Sequence, residues 1–268
     1  MAKITEFIAG HCTHAACMAV GGAGFNSCAF PAKTYLLEAQ GRYWLWDTGY
    51  AQHFMDATAS GLFALYRKVT PVYFESGQSI VAQLRHIGIA PSDLTGLILS
   101  HFHGDHIAGV KDFPKVPLIA SGQGWAKTQG LRGWRALKQG FVPALMPSDV
   151  TQRLQPMEAG EAVVLPEALQ PFTSGYALTH SGGEIVLVDL PGHASGHIGA
   201  FVCCDDGWHL LAADAAWDVA NYRDGRLPSP LTRLIMADHG EYVATLGRLQ
   251  ALDARGLVRI HLSHDGGG

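Results

Sequence analysis

The chain has 268 residues, 48 % of them hydrophobic and 16 % charged, which excludes a disordered polypeptide and leaves enough apolar side chain for a substantial core. A net charge of −4 argues against a nucleic-acid binder, which carries a basic domain or stripe; Arg132, Arg135 and Lys138 read as a solvated helix face. No apolar run approaches the ~18 residues of a membrane span, and the start of the chain, with Lys3 and Glu6 in it, is no secretory signal.

The elements follow in chain order. Residues 34–39 and 43–47 predict a hairpin about a Gly41-Arg42 turn, ending at Asp47-Thr48-Gly49. Residues 78–88, with Ile80, Val81, Leu84 and Ile87 on one stripe, predict a helix. Residues 95–100 read as a buried strand. The stretch 122–150, with Trp125, Leu131, Trp134, Leu137, Phe141 and Leu145, reads as a helical insertion. Strands are predicted over 185–190, 198–204, 208–213 and 257–262, and a helix over 230–252. Strands in both halves with helices between them suggest sheets packed on each other and covered outside by helices, a single domain over 1–268. Gly266–Gly268 and the Gly21–Gly24 stretch are too short to separate domains. Five cysteines, an odd number with Cys203 and Cys204 adjacent, do not suggest a disulfide framework; a reducing cytoplasm fits them.

The chemistry is concentrated in Ser100-His101-Phe102-His103-Gly104-Asp105-His106. His101 and His103, two apart after a strand, point to one side. Asp105 and His106 follow on the turn. Three imidazoles and a carboxylate in six residues suit a divalent cation of borderline softness. Three later apolar strands also end in ligand types: at His193 and His197, at Asp214, and at His264 with Asp265. His261 reads as a strand residue facing away. His11-Cys12-x-His14-x-x-Cys17 is read as a loop with structural cysteines in preference to a further zinc site.

His-x-His-x-Asp-His, then Pro-Gly-His, a strand-terminal Asp and a late Ser-His resemble the metallo-β-lactamase superfamily over nearly the whole chain, and Asp47-Thr48-Gly49 matches its Asp-x-Gly turn. The resemblance implies an α/β fold, an αββα sandwich of two packed mixed β-sheets flanked by helices. It assigns one metal to His101, His103 and His193, the other to Asp105, His106 and His264, and a bridging role to Asp214. Asp47, His197 and Asp265 then lie just outside the ligands. Two divalent ions per chain, zinc first with iron, manganese or cobalt as alternatives, would share a hydroxide that attacks an ester-type carbonyl. Asp105 and Asp214 are the catalytic carboxylates, Asp105 also as proton shuttle.

The bridging Asp214 turns the resemblance away from typical β-lactamases. The opening Phe7-Ile8-Ala9-Gly10-His11-Cys12, the approach from Ile80 to His101 and the ending Ser263-His264-Asp265 are similar to N-acyl-homoserine lactonases. Those enzymes carry a substrate-binding tyrosine three residues after the bridging aspartate; here Trp217 stands there, with Tyr222 as a nearby substitute. A small-molecule lactone is therefore the expected substrate. A thioester, a phosphodiester or iron-dependent oxygen chemistry on the same scaffold are the alternatives. The 122–150 insertion is read as a wall for an acyl chain, as simple packing, or as a homodimer contact.

Overall fold

The computed structural model describes residues 1–265; Gly266–Gly268 lie outside them. A first sheet contains β1 (Lys3–Ala15), β2 (Ser27–Ala39), β3 (Arg42–Trp46), β4 (Val72–Tyr73), β5 (Leu94–Ile98), β6 (Leu118–Ala120) and β7 (Leu154–Pro156), in the order β4-β1-β2-β3-β5-β6-β7. Its half from β4 to β3 is antiparallel, and β3, β5, β6 and β7 run parallel. A second sheet contains β8 (Glu161–Val164), β9 (Ser174–Ala177), β10 (Ile185–Asp189), β11 (Ile198–Cys204), β12 (Gly207–Ala213) and β13 (Val258–Leu262), in the order β13-β12-β11-β10-β9-β8. It is antiparallel except for the β12–β13 pair.

Side-chain alternation along each strand makes the layers. On the first sheet Tyr35, Leu37, Trp44, Trp46, Ile98 and Ile119 face inward and meet Ile185, Leu187, Ile198, Ala200, Val202 and Leu211 of the second. Their neighbours Leu36, Leu45, Leu97, Leu99 and Leu118 face out and pack against Phe54, Ile80, Leu84, Phe113 and Phe141. On the second sheet Val186, Val188, Phe201 and Leu210 face out onto Tyr242, Leu246, Leu249 and Leu252 of the helix His239–Ala254. Strands buried on both faces explain the unbroken apolar runs. The result is two mixed sheets face to face with helices on both outer surfaces.

Several predicted elements shift. The hairpin turn is Gln40-Gly41, both at positive φ (51° and 68°), with Ala39 paired to Arg42. β2 begins at Ser27, well before residue 34. The helix predicted over 78–88 is confined to Ile80–His86. The helix predicted over 230–252 is two elements: a 3₁₀ turn at Pro230–Leu234, opened by Ser229, and the helix His239–Ala254, whose N-cap Asp238 accepts from Glu241 N at 3.0 Å. Residues 122–150 contain the short helices Gly122–Thr128 and Gly133–Lys138 and the 3₁₀ turn Pro143–Leu145. Trp125, Phe141 and Leu145 are buried, whereas Trp134 is 67 % exposed. No helix among the described residues is long and apolar enough to cross a membrane.

Candidate metal centre

Four chain segments leave the sheets at one edge and converge. β5 runs through Leu99 and Ser100 into His101; His103 then precedes the short helix Gly104–Ile107 that carries Asp105 and His106. The Ile198 N–H donates to Ser100 O at 2.9 Å, tying this exit to the second sheet. β10 leads into Gly192-His193. Gly192 has φ +120°, and a Cβ there would lie 2.1 Å from Tyr242 N, so only glycine lets this loop cross the start of the helix His239–Ala254. Ala237 N–H donating to His193 O at 3.1 Å holds it there. β12 ends at Asp214 and β13 at His264, joined by Ser263 N–H to Ala213 O at 3.2 Å. Short strand ends on a rigid sheet give a preorganised site from residues distant in sequence.

Two groups of ligating atoms result, each within 4.8 Å of one another: His101, His103, His193 and Asp214, and Asp105, His106 and His264. His103 Nδ1 faces His193 Nε2 at 3.0 Å. Asp105 Oδ2 lies 3.5 Å from His106 Nε2 and 3.4 Å from His264 Nε2. Asp214 stands between the groups: Oδ1 is 3.4 Å from His106 Nε2, and Oδ2 is 3.3 Å from the Nε2 of both His193 and His264. His101 Nε2, His106 Nε2 and Asp214 Oδ1 are buried without a hydrogen-bond partner. Each such atom costs about 1–3 kcal/mol when unsatisfied. Imidazole nitrogens and carboxylate oxygens gathered this way fit divalent cations of the zinc type.

The electrostatics agree. Burial pushes His101 and His193 well below the usual histidine range, reinforced by neighbouring imidazoles, and pushes His103 down to about 4. Lowered in this way, the rings favour the neutral form, which is the form that ligates a metal. Burial would lower His106 and His264 as well, but Asp105, Asp47 and Asp214 outweigh it at His106, and Asp214 with Asp105 lifts His264 to about 9. Burial would raise Asp214, yet His264, His106 and His193 hold it well below the carboxylate range. Protons on His106 and His264 thus balance the carboxylates where cations would otherwise do so, and metal binding would displace them.

A surrounding layer orients these groups. Asp47 Oδ2 accepts from His106 Nδ1 at 2.7 Å and from Ser100 Oγ at 2.7 Å, and Oδ1 accepts from Ser100 N at 2.8 Å. His264 Nδ1 donates to Pro31 O at 2.8 Å. His197 Nε2 accepts from Asp214 N at 3.2 Å, and burial pushes this ring down to about 3. Trp217 Nε1 donates to Asp214 Oδ2 at 3.3 Å. Asp265 pairs with Lys33. Tyr222 is not brought to the cluster: it is packed into the outer core beside Tyr242 and Leu246, and burial, with Asp253 nearby, lifts it to about 12. His261 stacks on His209, ring centroids 5.1 Å apart.

Ser100 opens the histidine motif without being a ligand type; its hydroxyl links Asp47 to the His101 and His106 rings. The cleft beside His103 and His193 was not legible at all. Phe102, Thr128, Gln139, Phe141, Ser195, Ile235 and Ala237 line it, and no motif marks the last of these.

The N-terminal His/Cys motif is not in a loop: His11, Cys12 and His14 lie on strand β1 and Cys17 on the short helix Ala16–Ala19. His11 stacks on Tyr73 and His14 bonds Thr70 Oγ1 at 3.1 Å, and these residues form no metal-capable group among the described ones. Cys204, Asp206 and His209 also approach one another. There His209 already bonds Asp206 and His261, each at 2.9 Å, and Asp206 pairs with Arg259, so no atom of His209 awaits an ion.

The family model of the metallo-beta-lactamase superfamily matches residues 29–259. The chain belongs to the metallo-β-lactamase superfamily. Curated relatives of this superfamily chain include a probable metallo-hydrolase of Mycobacterium tuberculosis, 28 % identical over 236 residues, covering 86 % of this chain and 70 % of the relative. The N-acyl homoserine lactonase AiiB of Agrobacterium fabrum is 26 % identical over 194 residues, covering 72 % and 65 %. Among solved structures, an N-acyl homoserine lactone hydrolase with N-hexanoyl-L-homoserine at its catalytic metal centre superposes with a TM-score of 0.72 at 20 % identity, covering 98 % of this chain and 92 % of that one. AidC, a dizinc quorum-quenching lactonase, superposes with a TM-score of 0.67 at 15 % identity, covering 99 % and 89 %. These neighbours share the metallo-β-lactamase sandwich.

Proposed function

We propose that this superfamily hydrolase is dinuclear and cleaves an ester-type carbonyl, a lactone of the N-acyl homoserine lactone kind first. The observation that carries the reading is Asp214, a buried carboxylate within 3.4 Å of imidazole nitrogens from both ligand groups. His101, His103 and His193 would hold one cation, Asp105, His106 and His264 the other, and Asp214 both. Bound there, two divalent cations, zinc first, would lower the pKa of a coordinated water from 15.7 toward ~7 and polarise the oxygen of the scissile bond.

The chain's own residues do the rest. Asp47 and Pro31 O fix the His106 and His264 rings so that each Nε2 faces the site. Asp105 supplies a carboxylate that takes up a proton and returns it to the leaving oxygen. Phe102, Phe141 and Ile235 give the cleft apolar walls, with Thr128, Gln139 and Ser195 as polar contacts; this mixed lining is of the kind that recognises a ligand with apolar and polar parts. In this reading residues 122–150 are an insertion in a single domain that walls the cleft. The lactonases among the relatives and neighbours support the substrate class. All five cysteines are free, which suits a reducing compartment such as the cytoplasm.

The test combines metal content of the purified protein with a panel of lactones, thioesters and phosphodiesters. Lactone opening yields one ring-opened acid, whereas a thioester liberates a thiol. Full activity with fewer than two metals per chain refutes the dinuclear reading. Turnover of thioesters or phosphodiesters without lactones refutes the substrate class.

A further inference from the structure

Trp217 occupies the position where a lactonase-like reading calls for a substrate-facing hydrogen-bond donor. Its geometry points elsewhere. The half-buried indole sends Nε1 to Asp214 Oδ2 at 3.3 Å and meets the His193 ring edge-on, centroids 5.6 Å apart at 79°. Its backbone N–H is held by Asn221 Oδ1 at 2.9 Å. Asn221 is itself buried and anchored through Nδ2 to Ala19 O and Arg226 O, both at 2.8 Å. An indole has one donor and no acceptor. With that donor engaged by Asp214, this position has none left for a substrate carbonyl.

We infer that Trp217 is a positioning residue for the shared carboxylate: it sets the rotation of Asp214 so that Oδ2 faces His193 and His264, one from each ligand group, while Oδ1 faces His106. The inference rests on the reading of Asp214 as shared between two cations. The terminal torsion of an aspartate is broad and roughly two-fold, so the side chain alone does not choose this orientation. Two contacts choose it here. His197 Nε2 accepts from Asp214 N at 3.2 Å and fixes the backbone, while the indole N–H fixes Oδ2. A carboxylate oxygen has two lone pairs, so Oδ2 can keep the indole contact while offering the other pair to a cation. The carbonyl of the substrate must then be held by other groups.

The full chain is titrated with Zn²⁺ against a chromophoric chelator, and its Co²⁺-loaded form is examined by visible absorption, for native protein, Trp217→Phe and Trp217→Tyr. Trp217→Phe keeps an aromatic ring next to His193 and removes the N–H together with the second ring of the indole. We expect about 10–100-fold weaker Zn²⁺ binding, a shifted Co²⁺ spectrum, and a lower kcat with KM within threefold of native. Trp217→Tyr also lacks the N–H at that position and should weaken Zn²⁺ similarly; it decides the matter if the phenylalanine variant does not fold. Native Zn²⁺ affinity and an unchanged Co²⁺ spectrum in either folded variant overturn the inference. So does a tenfold rise in KM at unchanged Zn²⁺ affinity, which would make the indole a substrate contact. The titration uses no substrate, so failure of every lactone to turn over refutes the proposed activity and leaves this result to be read separately.

Discussion

Asp47→Asn isolates what the layer behind the ligands contributes. Asp47 is fully buried and sits at φ +54°, a conformation that asparagine tolerates, so the change alters chemistry with little added backbone strain. Its carboxylate accepts three hydrogen bonds of 2.7–2.8 Å, two from Ser100 and one from His106 Nδ1. A carboxylate is an acceptor only, so Nδ1 keeps a proton, and the one that metal binding would displace is on Nε2, leaving that lone pair for the cation. In the variant the amide oxygen can keep the Ser100 N–H, which turns the amide NH₂ toward Ser100 Oγ and His106. Nδ1 must then accept, the proton moves to Nε2, and a ligand becomes a donor aimed at Asp105 and Asp214. The expected loss is about 10–100-fold in Zn²⁺ affinity, or roughly 1.4–2.8 kcal/mol. Chelator competition measures it, and nitrogen NMR of the imidazole reads the tautomer. Affinity within threefold of native, with the proton still on Nδ1, would refute the reasoning.

Three further outcomes follow from the same geometry. In the metal-free protein, His101, His103, His193 and His197 have lowered pKa values, so the unfolded chain binds more protons and stability falls as pH drops from ~6.5 toward about 4. His264, raised to about 9, contributes fully below ~6.5, and that contribution is lost as pH rises through about 9. Thermal unfolding of the chelated protein should therefore show its highest Tm between these limits; a Tm still rising below pH 5 would contradict the assignment. Gly140 has φ +61°, and a Cβ there would lie 2.7 Å from His103 Cδ2. Gly140→Ala should cost about 1 kcal/mol in backbone strain and displace His103, lowering metal occupancy by elemental analysis, while Gly130→Ala, with open space around it, should leave occupancy unchanged. Leu249→Ala, on the buried face of the helix His239–Ala254, should lose about 2–5 kcal/mol in denaturant unfolding with metal stoichiometry intact.

The legible parts of the fold were those whose burial is uniform. β10, β11 and β12 face core on both sides and read as apolar runs, as does β5. β1 did not read as a strand, because its burial is mixed along thirteen residues with threonines, histidines and a lysine among them; its strand character comes from pairing with β2. The short edge strand β8 is largely exposed and carries little pattern. The break before His239 was marked locally by Asp238-x-x-Glu241, a capping pattern, but the apolar spacing of Leu231, Leu234 and Ile235 masked it. Those side chains are exposed, so their spacing does not report a buried face.

The residues that can hold metal were legible because such chemistry demands histidine and aspartate, and few other roles concentrate them at the ends of apolar strands. The convergence of four distant segments is a different matter. Only the stacking of the two sheets brings Asp214 between His106, His193 and His264, and only the packing of the Asn221 turn aims the Trp217 indole at that carboxylate instead of into the cleft. Side-chain type is a property of the chain, whereas direction depends on neighbours that only the fold brings together, as it does His106 and Asp214. Tyr222 shows the consequence: five residues from Trp217, with a hydroxyl suited to the task, it is turned into the core by the helix that carries it.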